Sequence, residues 1–260
     1  MMDAQIQADL RGADLHGVNL KGTCLSAVNL QGAHMSGANL NDAQMEKTNL
    51  SGAYLPGAAL NGADLRYANL ETAFLRGANL LAADLRNANL HGADLSGADL
   101  HGATLDGADL HSAHLRGTDF HGANMHKTIL RSANLHGAYL RGAHLDGADL
   151  RNANLHGTYL KSSGLGGANL EGADMRGSNL KGANLYLTIL INAQNIDADA
   201  VFSAKNWEKA LIDPELEEAL GLKGKKRFQE NDMNIISNLI VEKERKKEYL
   251  HYMSERLGTE

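Results

Sequence analysis

The stretch HGADLSGADLHGATLDGADL, His91 to Leu110, sets a leucine at every fifth position and an alanine two residues before each one. The same beat runs from Leu10 to Leu190: all 37 positions divisible by five are Leu, apart from Met35, Met45, Phe120, Met125 and Met175. The slot two residues earlier holds Ala or another small residue such as Val18, Thr23 or Ser163, and the slot between is mostly Asn or Asp. The second residue after each leucine takes 23 of the chain's 28 glycines.

Neither regular element accommodates that beat. An α-helix loses about 1 kcal/mol for each glycine relative to alanine, and five residues advance it by roughly 500°, which scatters the leucines around the axis. In a straight strand side chains alternate, so residues five apart face opposite ways. The chain therefore bends once per five residues, bringing each leucine back to one interior, and Gly beside Asn or Asp supplies the turn chemistry. Coils stacked by backbone hydrogen bonds at about 4.8 Å make a solenoid. Leucine fills its centre, and the alanine slot stays small because two inward positions per side share a narrow core.

Units such as ADLRN, ANLHG, ADLSG and ADLHG match the pattern A(D/N)LXX, and over residues 6–190 the chain resembles the pentapeptide repeat proteins. The resemblance implies an all-β solenoid, a right-handed quadrilateral β-helix with four pentapeptides per coil and about nine coils. The five-residue period by itself leaves three sides or four sides open.

The composition narrows the class. The chain has 260 residues, a net charge of -6, and Cys24 as its one cysteine, which excludes an intrachain disulfide and a cysteine-rich metal site. No apolar run approaches the roughly 18 residues of a membrane span, and MMDAQIQADL lacks the basic and apolar regions of a signal peptide, so the expected location is the cytoplasm.

At INAQNIDADAVF the beat fails, with Asn195 in a leucine slot. The expected division is a pentapeptide-repeat β-helix over 6–195, C-terminal capping helices over 196–222, a basic linker over 223–230 containing KGKKR, and an amphipathic helix over 231–258. SAKNWEKALID reads as a helix capped by Ser203, and Asp213 and Pro214 break it and start a second short helix ending near Gly221. An open solenoid exposes its last leucines and a strand edge, which makes Trp207, Leu211, Leu216 and Leu220 the candidate cap. NWEKALIDPELEEALGL is similar to the tail that follows the array in many cyanobacterial pentapeptide repeat proteins. The last helix carries Ile236, Leu239, Ile240, Leu250, Met253 and Leu257, split by the charged run Glu242 to Glu248, a gap that a sustained coiled coil tolerates poorly. It is a candidate docking helix for the rod or for another chain. At the other end, either Met1, Met2 and Ile6 fold over the first coil or two rods meet end to end. A homodimer is thus expected through the N-terminal end or the C-terminal helix, if at all.

With 20 residues per coil, residues 20 apart stack into columns. One column reads His101, His121, Arg141, Lys161 and Lys181 in its second half, a candidate surface for an anionic partner. No aromatic residue alternates with these charges, so a solvated face is the plainer account and nucleic acid is not the expected partner. Tyr54 with Phe74, and Tyr139 with Tyr159, form outward aromatic pairs that serve either as partner contacts or as cross-strand pairs. Asn29, Asn49, Asn69 and Asn89 form an expected amide ladder. His91 and His111, His101 and His121, and His136 and His156 stack as neighbours, but no cysteine or close carboxylate completes a set, so no metal or other cofactor is expected. No GKS or GKT phosphate loop is present, and Ser, His and Asp lie on a regular surface without a pocket to tune them.

The expected function is accordingly that of a non-enzymatic scaffold, a rigid rod presenting flat faces to a protein partner. The resemblance also raises a DNA-mimicking modulator of DNA gyrase, an activity of some family members. A DNA mimic requires a strongly negative rod, whereas residues 1–190 carry 17 acidic side chains against 14 Lys or Arg, with 11 His in addition. A secreted bacterial effector is the third alternative, without a visible secretion signal.

Overall fold

The turn comes first, because it sets everything else. The computed structural model describes residues 9–221. All 37 turn slots from Gly12 to Asn192 have φ between 54° and 70°. Each turn is closed by a backbone bond such as Ala13 N–H to Leu10 O at 3.1 Å, the arrangement of a type II turn, whose third residue needs positive φ. Glycine reaches that region without steric cost, whereas β-branched Thr72 and bulky Leu187, both at 54°, are held there against their preference. The Asn or Asp slot has its own reason. Its side-chain oxygen accepts the N–H of the first turn residue, which the ladder leaves over: Asp9 from Arg11 at 3.2 Å, Asn69 from Glu71 at 3.1 Å, Asp99 from His101 at 2.9 Å.

Between turns, single-residue parallel bridges join residues 20 apart, from Asp9↔Asn29 to Asp174↔Gln194. Leu10 N–H donates to Asn29 O at 2.8 Å, Gly12 N–H to Gln31 O at 2.9 Å, and His34 N–H to Ala13 O at 2.9 Å, and the set repeats along the array. Twenty residues per circuit and five per side make a four-sided β-helical solenoid. From Leu30 to Leu190 no residue in the leucine slot is more than 1% exposed, and the alanine slot is equally closed apart from Ser178 at 7%. Where Thr48, Thr118 or Ser163 replaces that alanine, the hydroxyl donates to a leucine carbonyl: Thr48 to Leu25 O at 2.7 Å, Thr118 to Leu95 O at 2.8 Å, Ser163 to Leu160 O at 2.8 Å. A buried hydroxyl is tolerable on those terms. At the start of the described chain Leu10, Leu15 and Leu20 are only partly buried.

Beyond Gln194 the ladder continues with insertions. Asn184 pairs with Lys205 and Ile189 with Leu211. The extra residues form helix α1 (Ala198–Phe202), a single 3-10 turn (Trp207–Lys209) and helix α2 (Pro214–Ala219). Asp197 caps α1 by accepting from Asp199 N–H at 3.1 Å, and Asp213 caps α2 by accepting from Leu216 N–H at 2.8 Å. The helix expected from Ser203 onward does not form, and Ser203 instead closes the C-terminal end of α1. The ladder has taken the backbone groups such a helix needs: Lys205 N–H donates to Ala183 O at 2.7 Å, and Leu185 N–H to Lys205 O at 2.9 Å. No helix among the described residues is long and apolar enough to cross a membrane. Met1, Met2, Ile6, the linker 223–230 and the docking helix with Ile236, Leu239, Ile240, Leu250, Met253 and Leu257 lie outside the described residues.

Candidate interaction surface

The residues before and after each inward leucine both point outward, because side chains alternate along an extended segment. They therefore lie side by side, and each also meets its counterpart one circuit on, 18 or 20 residues away. At several places in the array this geometry joins an arginine to an aspartate. Arg66 Nη2 lies 2.6 Å from Asp64 Oδ2, Arg86 Nη2 2.5 Å from Asp84 Oδ2, Arg76 Nε 2.5 Å from Asp94 Oδ2, and Arg151 Nη2 2.8 Å from Asp149 Oδ2, which also pairs with Arg131. The bond from Arg66 holds the Asp64 carboxyl below its ordinary value. At Asp94 burial pushes the pKa up, but bonds from Ser96 and Arg76 outweigh it and leave it lowered. Such faces are electrostatically self-satisfied.

The face around Leu100, Phe120, Leu140, Leu160 and Leu180 is built otherwise. Its first two circuits keep Asp99 beside His101 and Asp119 beside His121, and in the next three the same slot carries Tyr139 beside Arg141, Tyr159 beside Lys161, and Asn179 beside Lys181. The rings of His101 and His121 are 6.1 Å apart, those of His121 and Tyr139 6.1 Å at an interplanar angle of 20°, and those of Tyr139 and Tyr159 5.0 Å at 6°. His121 Nδ1 is anchored 2.7 Å from Asp119 Oδ1. Tyr139 and Tyr159 are 42% and 48% exposed. Arg141, Lys161 and Lys181 are exposed too, and among the described residues no ion pair engages them. The expectation that aromatics do not accompany the basic column is thus corrected. Columns drawn only at 20-residue spacing separate residues 139 and 159 from 121 and 141, and the contact across the leucine reunites them. Period-two alternation about each leucine was the signal that would have found it.

The other candidate residues are placed as follows. Tyr54 and Phe74 pair at 6.0 Å, with His34 6.2 Å from Tyr54, on a separate column whose next residue is the ion-paired Asp94. The asparagine amides form a ladder, Asn49 Nδ2 to Asn29 Oδ1 at 3.1 Å and Asn89 Nδ2 to Asn69 Oδ1 at 3.1 Å. His91 and His111 stack at 5.0 Å, and His136 meets His156 edge-on at 4.7 Å. Leu211, Leu216 and Leu220 are buried, while Trp207 is half-buried with its ring edge-on to Phe202 at 5.0 Å. Ala210, which the sequence placed on one face with Trp207 and Leu211, is buried beside them, as are Val201 and Ile212, which the sequence left unmarked. Another correction concerns carboxylates near histidine. His126, His144 and Asp146 offer ligand atoms that all lie within 4.8 Å of one another.

Comparison with known proteins gives a consistent result. A family model described as pentapeptide repeats matches in successive segments from residues 6–32 to 157–190. The chain is similar to HetL, a pentapeptide repeat protein involved in heterocyst differentiation regulation from the cyanobacterium Nostoc sp. strain PCC 7120. The identity is 33%, over 68% of this chain and 89% of HetL, with a TM-score of 0.54. It is also similar to a pentapeptide repeat protein from the Arabidopsis thaliana thylakoid lumen, at 34% identity over 43% of this chain and 74% of that one, with a TM-score of 0.37. QnrB1, a plasmid-mediated fluoroquinolone resistance protein, is 20% identical over 78% of this chain and 97% of its own, with a TM-score of 0.41. A search of curated protein sequences finds no match.

Proposed function

The chain belongs to the pentapeptide repeat family, and from that premise we propose that it is a non-enzymatic interaction scaffold whose working surface takes an acidic face of a partner protein. The observation that carries this reading is the continuous ring run His101, His121, Tyr139 and Tyr159 flanked by the unpaired cations Arg141, Lys161 and Lys181. Exposed aromatics supply contact area at little entropic cost, and cations without partners supply steering and register. An acidic protein face answers both features. The kinship with HetL, a protein involved in regulation, supports docking over catalysis, and with the tail similarity it favours a cyanobacterial source. A rod of about nine coils at 4.8 Å spacing presents this strip on a straight support roughly 45 Å long.

The test compares proteins captured from a cell lysate by the wild type, by an Arg141→Glu/Lys161→Glu/Lys181→Glu variant, and by a Tyr54→Ala/Phe74→Ala variant on the separate column. The strip variant is expected to lose the wild-type partner and the second variant to keep it, with capture weakening as salt rises. Retention of the same partner by the strip variant, or capture of nothing by the wild type, overturns the proposal. Purified gyrase supercoiling is expected to be unaffected by micromolar protein, since the array's charge is nearly balanced and this strip is basic. Inhibition would restore the DNA-mimic alternative.

A further inference from the structure

We propose that His126, His144 and Asp146 bind a divalent late first-row transition ion, zinc being the type, in a site opened on one side by Gly164 and Gly166. It is independent of the docking strip. His126 and Asp146 occupy successive circuits of one column, and His144 stands across Leu145 from Asp146. His126 Nδ1 lies 3.7 Å from Asp146 Oδ2, the two imidazole centroids are 5.7 Å apart, and the ligand atoms of all three residues fall within 4.8 Å. In a tetrahedral zinc site, with bonds of about 2.1 Å, donor atoms lie about 3.4 Å apart, so side-chain rotation closes the set. The backbones are already fixed: His144 N–H donates to Ala123 O at 2.9 Å, and His126 N–H to Asp106 Oδ1 at 2.9 Å.

The second observation is a break in the repeat. In SSGLGGANL, Gly164 and Gly166 are the two glycines of the array that stand outside the turn slot, and neither has the positive φ that would demand glycine. Both lie against the Asp146 carboxylate. A Cβ at Gly164 would sit 2.6 Å from Asp146 Oδ2, and one at Gly166 2.8 Å from Oδ1. Gly166 N–H donates to Oδ1 at 3.0 Å, which orients the carboxylate and leaves Oδ2 facing His126. Hydrogen-bonded support of this kind is what ligating carboxylates need. Two imidazoles and one carboxylate suit zinc, nickel, cobalt or copper, whereas calcium and magnesium take oxygen ligands. Three protein ligands leave a coordination position free for water or for a side chain of another molecule. Among the described residues the His91–His111 and His136–His156 pairs have no third ligand, which makes them internal controls.

The experiment is calorimetric titration of the untagged full chain with zinc chloride in a Cys24→Ser background. One zinc per chain is expected. His144→Ala and Asp146→Asn each weaken binding at least tenfold, and Gly164→Ala weakens it about tenfold by displacing the carboxylate. His91→Ala and His136→Ala leave it unchanged. Circular dichroism and the zinc-free Tm of Gly164→Ala remain those of the wild type, so a loss of binding is not a loss of fold. The proposal is overturned if no zinc binds at micromolar concentration, if His91→Ala and His136→Ala weaken binding as much as His144→Ala, or if Asp146→Asn and Gly164→Ala bind as tightly as the wild type.

Discussion

The array from Leu30 to Leu190 and the terminal circuit from Gln194 to Leu220 share one ladder and one core but reach them differently. In the array every side has five residues, the same ladder bonds repeat from one circuit to the next, and the slots on either side of each leucine stay at least partly exposed apart from Asp94 and, at its end, Ile189. In the terminal circuit the chain inserts residues, folds them into α1, a 3-10 turn and α2, and places Val201, Ala210, Leu211 and Ile212 in the core. Leu187 and Ile189, in slots that elsewhere face outward, are buried where the chain pairs again at Leu211. A solenoid of identical units has no way to stop: its last leucines would remain in water and its last edge unpaired. Irregularity supplies the end.

The contrast is most sharply tested in the core. Leu110→Ala and Leu211→Ala both remove a side chain with no exposure and are expected to cost about 2–5 kcal/mol each, whereas Leu15→Ala, at a half-buried position, costs about 1 kcal/mol. Urea midpoints measure all three. If Leu211→Ala costs no more than Leu15→Ala, the terminal circuit unfolds separately from the array and the shared-core description breaks. Turns come next. Gly97→Ala, at φ 67°, is expected to destabilise by about 1 kcal/mol, and Thr72→Gly, at φ 54°, to stabilise by a similar amount. A neutral result at both would show that the ladder, more than the turn, sets the bend.

The smallest effect is in acid. The carboxyls of Asp64, Asp94 and Asp174 lie below the ordinary 3.8, Asp64 through Arg66 and Asp174 chiefly through Asn195 of the terminal circuit. A lowered carboxyl contributes stability that is complete above its unfolded value and lost as pH falls through the folded one. The Tm is therefore expected to fall below about pH 4, and Asp174→Asn to remove part of that slope by putting an amide that does not titrate in place of the carboxyl that accepts from Asn195 at 2.8 Å. An unchanged slope in Asp174→Asn would remove that contact from the join between the two regions.

Much of the fold was legible because the repeat reports single positions. Leucine at every fifth residue marks the core, glycine marks the positive-φ slot, and small residues mark the second inward position. Legibility ended where the beat ended. SAKNWEKALID has good helical character, but Lys205 is drawn into the ladder by Ala183 and Leu185, and hydrogen bonding to the previous circuit outweighs local propensity. The surface was half legible. Columns at 20-residue spacing correctly aligned His101 with His121 and Tyr139 with Tyr159, but they left those two columns apart and missed His144 beside His126 and Asp146.

By itself the sequence determined which residues enter the core, where the chain bends and where the regular array stops, since each follows from the chemistry of one pentapeptide. Only the tertiary structure decided which outward side chains meet. The pairs His121 with Tyr139 and His126 with His144 are 18 residues apart, a separation with no meaning until four sides close a circuit. A five-residue period specifies the length of a side, and the number of sides is chosen by how all the inward leucines and alanines pack together.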